Sequence, residues 1–173
     1  IPALISDLRT ARGLIGPSWS RRVGAARQLG ELRAPQAIPH LIAAVESSAN
    51  DEVKRACADA LGQIGGEEAT GALARWLVDP ARDDVRLVCL LALTRIGDTP
   101  ARAALMRVNA SSSGRAESID RLQTELERAN GDSARRDVIT QALTILVSGD
   151  ASGDNGADPD HAGDGQRPGE DLD

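Results

Sequence analysis

Val53-Lys54-Arg55-Ala56-Cys57-Ala58-Asp59-Ala60-Leu61-Gly62-Gln63-Ile64 decides how this chain is read, because its pattern recurs 32 residues earlier and 32 residues later without a gap. Upstream stands Arg21-Arg22-Val23-Gly24-Ala25-Ala26-Arg27-Gln28-Leu29-Gly30-Glu31-Leu32, and downstream Val85-Arg86-Leu87-Val88-Cys89-Leu90-Leu91-Ala92-Leu93-Thr94-Arg95-Ile96. A basic residue recurs at 22, 54 and 86, and leucine at 29, 61 and 93. The register continues into the segments that follow, where Ala37, Ala69 and Ala101 align, as do Leu41, Leu73 and Leu105. Each period therefore holds two apolar stretches, the signature of a stacked supersecondary unit.

Both stretches read as helices. Ile38, Leu41, Ile42 and Val45 in the first, and Val53, Ala56, Cys57, Ala60, Leu61 and Ile64 in the second, fall at three- and four-residue steps. That is the spacing of one buried helix face, and the alternation of a strand is absent. Asp51 and Asp83 are expected as N-caps of the second helices, with Ser18 in the same role for the first repeat, and Gly65 and Gly97 as stops. Small residues at Ala25, Ala56, Cys57 and Ala60 let successive helices approach to roughly 8–10 Å between axes. The repeats are expected at about 1–33, 34–65 and 66–97, with a diverged cap over 98–147. Ile1-Pro2-Ala3-Leu4-Ile5 resembles Ile38-Pro39-His40-Leu41-Ile42, so the sequence opens on the first helix of a repeat.

After Asn109 the period fails. Ser111-Ser112-Ser113-Gly114 reads as a flexible break, followed by a helix over about 115–129 that buries Ile119, Leu122 and Leu126 out of register. A last helix from Ser133 to Val147 partly recovers the motif, as an end repeat with one face in water is expected to do. From Ser148 onward there are eight acidic residues against one Arg and a single large aliphatic, Leu172. Such a composition cannot offset its ordering entropy, and 148–173 is expected to be a disordered acidic, Gly-rich tail.

The tail changes the charge argument. The whole chain carries −6, yet without the tail 18 acids face 19 bases, so the body is near neutral at +1. A nucleic-acid binder usually shows a basic excess and aromatic stacking platforms, whereas here there is no Phe or Tyr and only Trp19 and Trp76. DNA or RNA is therefore disfavoured as a partner. No run of about 18 apolar residues is present, so no membrane span is expected. The N-terminus has no starting Met and no leader pattern, from which a segment of a longer, cytoplasmic protein is expected. Nineteen of the twenty bases are Arg, which suggests a GC-rich genome.

The succession of aspartate, Val-basic, an Ala-rich run, Ala-Leu-Gly, Ile-Gly, then Ala, Pro and Leu resembles the bacterial HEAT-like repeats of phycobilisome lyases, often called E-Z type. Residues 1–109 carry the resemblance. It implies an all-α, right-handed α-α superhelix, a HEAT-like solenoid of about four helix pairs with an irregular C-terminal cap. It also implies that the second helices line a concave, partner-binding face. The candidate partner-binding residues on that face are Arg22, Arg27, Arg55, Asp59, Arg86, Leu87, Leu90, Leu91 and Arg95, with Val23, Glu31, Lys54 and Gln63 at further non-core positions.

Leu87, Leu90 and Leu91 stand where this repeat type carries Arg, Ala and a charged residue, which makes the third helix apolar nearly all round. Such a helix is covered by something. Either the 115–129 helix folds over it with Ile119, Leu122 and Leu126, the favoured reading, or a partner does. A row of arginines on the same face could attract an acidic partner, though exposed charge rows are commonly plain solvation. The acidic tail itself could fold back on that row.

Catalytic chemistry finds little support. Cys57 and Cys89 occupy one slot in adjacent repeats, roughly 10 Å apart, beyond disulfide reach, and read as small core residues. His40 and His161 stand alone, so no metal site is expected. The repeated His-Glu pairs of iron-binding HEAT-like hydroxylases are missing, and no cofactor is expected. The sequence thus points to a non-enzymatic protein-interaction scaffold binding another protein. A bilin lyase-like chromophore-handling protein and a HEAT-like DNA-binding protein are the alternatives that the resemblance leaves open.

Overall fold

A computed structural model describes residues 1–9, 18–110, 112–129 and 131–148. Among them every regular element is helical: α1 Pro2–Arg9, α2 Ser18–Glu31, α3 Ile38–Ser47, α4 Asp51–Ile64, α5 Glu67–Val78, α6 Asp83–Ile96, α7 Thr99–Ala110, α8 Ser112–Arg128 and α9 Ser133–Val147. Short 3₁₀ turns, Pro35–Ala37 and Pro80–Arg82, lead into α3 and α6. The expected tail lies, apart from Ser148, outside the described residues, as does Ser111.

The helices stack in two layers. Each of α1/α2, α3/α4 and α5/α6 packs as a pair, while α2, α4 and α6 form one continuous layer and α1, α3, α5 and α7 the other. The second-helix layer packs more extensively than the first. This is the arrangement that the 32-residue period predicts, an all-α HEAT-like solenoid of stacked helix pairs. One core runs through it, with Leu29, Leu41, Leu61, Leu73, Leu93 and Leu105 all at most 1% exposed.

Close approach in the second-helix layer has a specific cause. A Cβ placed on Gly30 would lie 2.9 Å from the Ala60 Cα, and one on Gly62 would lie 2.5 Å from the Ala92 Cβ. Gly facing Ala thus recurs at the same 32-residue step as the sequence motif. At the third step the glycine slot is filled by Thr94, which is 2% exposed and turns its hydroxyl inward to the Leu90 carbonyl at 2.9 Å. The close-packed ladder ends there. The helix stacked beyond α6 is α9, out of register, with α8 bridging α7, α9 and the start of α6.

Two helix ends depart from expectation. The N-cap of α4 is Asn50, whose side chain accepts from the Val53 N–H at 3.1 Å, while Asp51 is the first helical residue. Asp83 is likewise already inside α6, and the turn before it is held by Asp79 accepting from the Ala81 N–H at 2.9 Å. Carboxylates in a first turn face the partial positive charge of the helix end, which stabilises them there without a capping bond. The side chain of Ser18, expected as a third cap, lies outside what is described. Gly65 and Gly97 do terminate α4 and α6, at φ 72 and 65. Gly97 closes its helix in the left-handed conformation that favours glycine.

The flexible break expected at 111–114 is corrected over 112–114, because α8 begins at Ser112, while Ser111 lies outside the described residues. Ser and Gly are weak helix formers. Packing overrides that preference, as Gly114 and Arg115 are half-buried and Ser118 is 4% exposed. The last helix has the predicted bounds.

Candidate functional site

Three consecutive second helices, each presenting the same register positions, generate a row of side chains from α2 to α6, and α9 closes the row at its far end. Between them lies a groove of about 530 Å³. Its walls carry Arg27 from α2, Glu52, Arg55 and Asp59 from α4, Arg95 from α6, and Asp132 and Arg135 at the start of α9. Its floor is aliphatic, built from Val23, Ala56, Val88, Leu91 and Val138.

Of the residues anticipated from sequence, Arg27, Arg55, Asp59, Leu91 and Arg95 come together in this groove. Arg95 donates to Asp59 at 2.9 Å, and Gln63 donates to the same carboxylate at 2.8 Å. Arg55 uses only its Nε, which donates to the Asp84 carbonyl at 3.1 Å, so its two Nη groups stay available. Arg27 is exposed and has no hydrogen bond or ion pair among the described residues. Arg135 pairs with Glu125 of α8.

The other anticipated residues are engaged elsewhere. Arg22 is half-buried and donates to the Leu8 carbonyl at 3.0 Å, satisfying an acceptor in the last turn of α1. Arg82 does the same for α3 by donating to the Val45 carbonyl at 3.2 Å. Arg86 turns toward α8 and pairs with Glu117 at 3.3 Å, and its Nε is buried without a hydrogen-bond partner. Leu90 is 1% exposed and belongs to the core, so it has no surface to offer, while Leu87 is half-buried against that core. The chain itself supplies their cover. Both α8 and α9 pack on α6, Leu122 is fully buried, and Ile119 and Leu126 are packed against the core.

A second ionic ladder ties α6 to its neighbours outside the groove. Lys54 donates to Asp84 at 2.7 Å and to Asp51 at 3.3 Å, and the Asp84 carboxylate holds the Lys54 ammonium above its ordinary range. Arg121 of α8 donates to Asp83 at 2.9 Å, which keeps that carboxyl below the usual carboxylate range. Cys57 and Cys89 are fully buried and unpaired, and burial pushes each thiol up to about 12. A thiol so placed carries negligible thiolate at neutral pH and packs as a small apolar group.

Sequence reasoning missed Glu52, Ala56 and Val88, and with them the whole contribution of α9. Ala56 was read as part of the buried helix face, and Glu52 and Val88 were given no role. For α9 the signal was its partial recovery of the second-helix motif, which was read only as an end repeat, although the stacking of α9 on α6 brings Asp132, Arg135 and Val138 to the groove.

The fold defines a class, the α-solenoid built of stacked helix pairs. Residues 2–94 match the family model for HEAT repeats, more than half of the chain, and the chain belongs to that family. No curated protein matches it. Among the described residues no helix is long and apolar enough to cross a membrane.

Proposed function

We propose that the protein is an interaction scaffold that holds another protein in the groove formed by α2, α4, α6 and α9. The observation that carries this reading is the groove's composition. An aliphatic floor walled by four arginines and three carboxylates, with Arg27 making no hydrogen bond or ion pair among the described residues, is suited to desolvating a segment of a partner and fixing its register by charge. HEAT repeats typically serve such a role, which favours a non-catalytic reading of this chain.

The outer layer offers a control surface, for Met106 on α7 is 55% exposed and remote from the groove lining. Leu91→Asp places a carboxylate on the half-buried floor, and proteins retained by the wild-type chain are expected to be lost from this variant and kept by Met106→Asp. Leu90→Asp calibrates the comparison. It puts an unpaired charge into the core, a change on the order of 4 kcal/mol or more, and is expected to unfold the solenoid instead of blanking one surface. Retention of the same partners by a folded Leu91→Asp protein would refute the groove as the binding face.

A further inference from the structure

The lining of the groove restricts the backbone form of what it holds. Among the described residues that line it there is no Asn, Gln, Ser, Thr or Tyr, and its walls are helices, which offer no strand edge to pair with. An extended segment crossing from α2 to α9, about 25–30 Å for helices roughly 8–10 Å apart, brings about eight peptide groups with it. Those turned to the aliphatic floor would find no neutral donor or acceptor there, and buried peptide groups without partners are penalised. A helix bonds its own backbone and offers the floor side chains alone. Its apolar stripe at i, i+3, i+4 and i+7 advances about 10 Å in seven residues, close to the step from Val23 on α2 to Ala56 on α4 and on to Val88 on α6.

Charge narrows the occupant further. Asp59 is held by Arg95 and Gln63, and Arg135 by Glu125. Arg27 and Glu52 make no hydrogen bond or ion pair among the described residues, Arg55 keeps its Nη groups, and Asp132 commits one carboxylate oxygen to the Arg135 N–H. Two cations thus stand open beside two carboxylates. A strongly acidic or strongly basic segment meets a like charge here whichever way it lies, whereas a segment carrying both signs has a counterpart for all four groups.

Resting on the reading of this groove as the binding face, we propose that its occupant is an amphipathic α-helix of a partner protein, lying across α2, α4 and α6 toward α9, with aliphatic anchors on the floor and a mixed-charge border. Its carboxylates meet Arg27 and Arg55, and its bases meet Glu52 and Asp132. About 18 residues, roughly 27 Å as helix, span the row. The net charge of the occupant is near zero, so it gains no long-range steering and its association rate changes little with salt.

Two display pools of segments about 18 residues long, panned against the full chain, test this. Both contain Leu, Ile, Ala, Gln, Glu and Lys in the same amounts, but one sets the aliphatics at the helical step and the other at every second position. The expected result is enrichment from the helical pool, about tenfold or more over the alternating one, in clones that retain both Glu and Lys. Leu91→Asp should abolish that enrichment and Met106→Asp should keep it. Glu52 and Arg27 are exposed, and Glu52→Lys is expected to shift the surviving clones toward Glu, Arg27→Glu toward Lys. Enrichment from the alternating pool, from neither pool, or in clones of a single sign overturns the proposal, as does enrichment that Leu91→Asp keeps or a composition indifferent to both charge reversals. Natural proteins retained by the wild-type chain and lost from Leu91→Asp report on the groove by themselves, so the groove reading outlives a failure of the helix.

Discussion

Gly62→Ala and Gly71→Ala are the same chemical change with opposite expected signs. At Gly62 the new Cβ would sit 2.5 Å from the Ala92 Cβ and 2.8 Å from its Cα, against an optimal carbon separation of about 3.5–4.0 Å. Both obstructing atoms are fixed to the backbone, so no rotamer change relieves them and α4 must move away from α6 by about 1 Å. A gap of that size forfeits a quarter to a half of each contact of about 0.1–0.2 kcal/mol, and over one leucine's worth of contacts, about 40–60, the loss is on the order of 1–6 kcal/mol before relaxation. Overpacked cores settle at about 1–3 kcal/mol. The gain in helix propensity returns about 1 kcal/mol, leaving Gly62→Ala up to about 2 kcal/mol less stable. A Cβ on Gly71, exposed on α5, meets nothing within 4 Å, so only the propensity gain of about 0.5–1 kcal/mol is left. Urea titration should separate the two variants by about 0.5–3 kcal/mol, and thermal scans by roughly 2–15 °C. Equal stabilisation by both substitutions would refute the close-packed ladder on which the second-helix layer is built.

Asn50→Ala removes the α4 cap and should lower stability by about 1 kcal/mol, measured by the same titration, whereas Asp51→Ala should cost less because Asp51 makes no capping bond. Asp83 has its folded pKa depressed by Arg121, so the pair contributes stability above the unfolded carboxylate range and loses it as pH falls through the folded value. Arg121→Gln should therefore flatten the acid limb of a stability-against-pH curve and leave the alkaline limb alone. Lys54 is the converse case, with its folded pKa raised by Asp84. Its contribution is complete at neutral pH and disappears only as pH rises through that raised value, which Asp84→Asn should abolish in alkaline denaturation. Cys57 and Cys89, held up at about 12, should react with a thiol reagent at neutral pH no faster than the chain opens, and rapid labelling of the native protein would contradict their burial.

The repeat was legible because it is written in small residues and leucines whose spacing follows from helix geometry alone. Leu29, Leu61 and Leu93 announce the buried face, and Ala60 the close approach. Cap positions were misplaced by one residue because Asn50 and Asp51 are both good candidates, and only backbone geometry chooses between them. Arg22 and Arg86 look identical in sequence to Arg27 and Arg55. What separates them is the Leu8 carbonyl and the Glu117 carboxylate, acceptors brought in by other helices and invisible to any local pattern. The three leucines of α6 made the presence of a cover predictable. The part played by α9 was legible only in outline, since its helix partly recovers the motif but its contacts depend on how it settles beyond Thr94.

The Gly30–Ala60 and Gly62–Ala92 contacts also restrict how the arc can deform. Its inner rail is already at van der Waals limit, and protein interiors are close to incompressible, so tighter bending would drive α4 into α6 and is blocked. Opening meets no such wall, because it only draws the rows apart and stretches the less extensively packed outer layer. Along the row α2, α4 and α6 the stack therefore spreads more readily than it contracts.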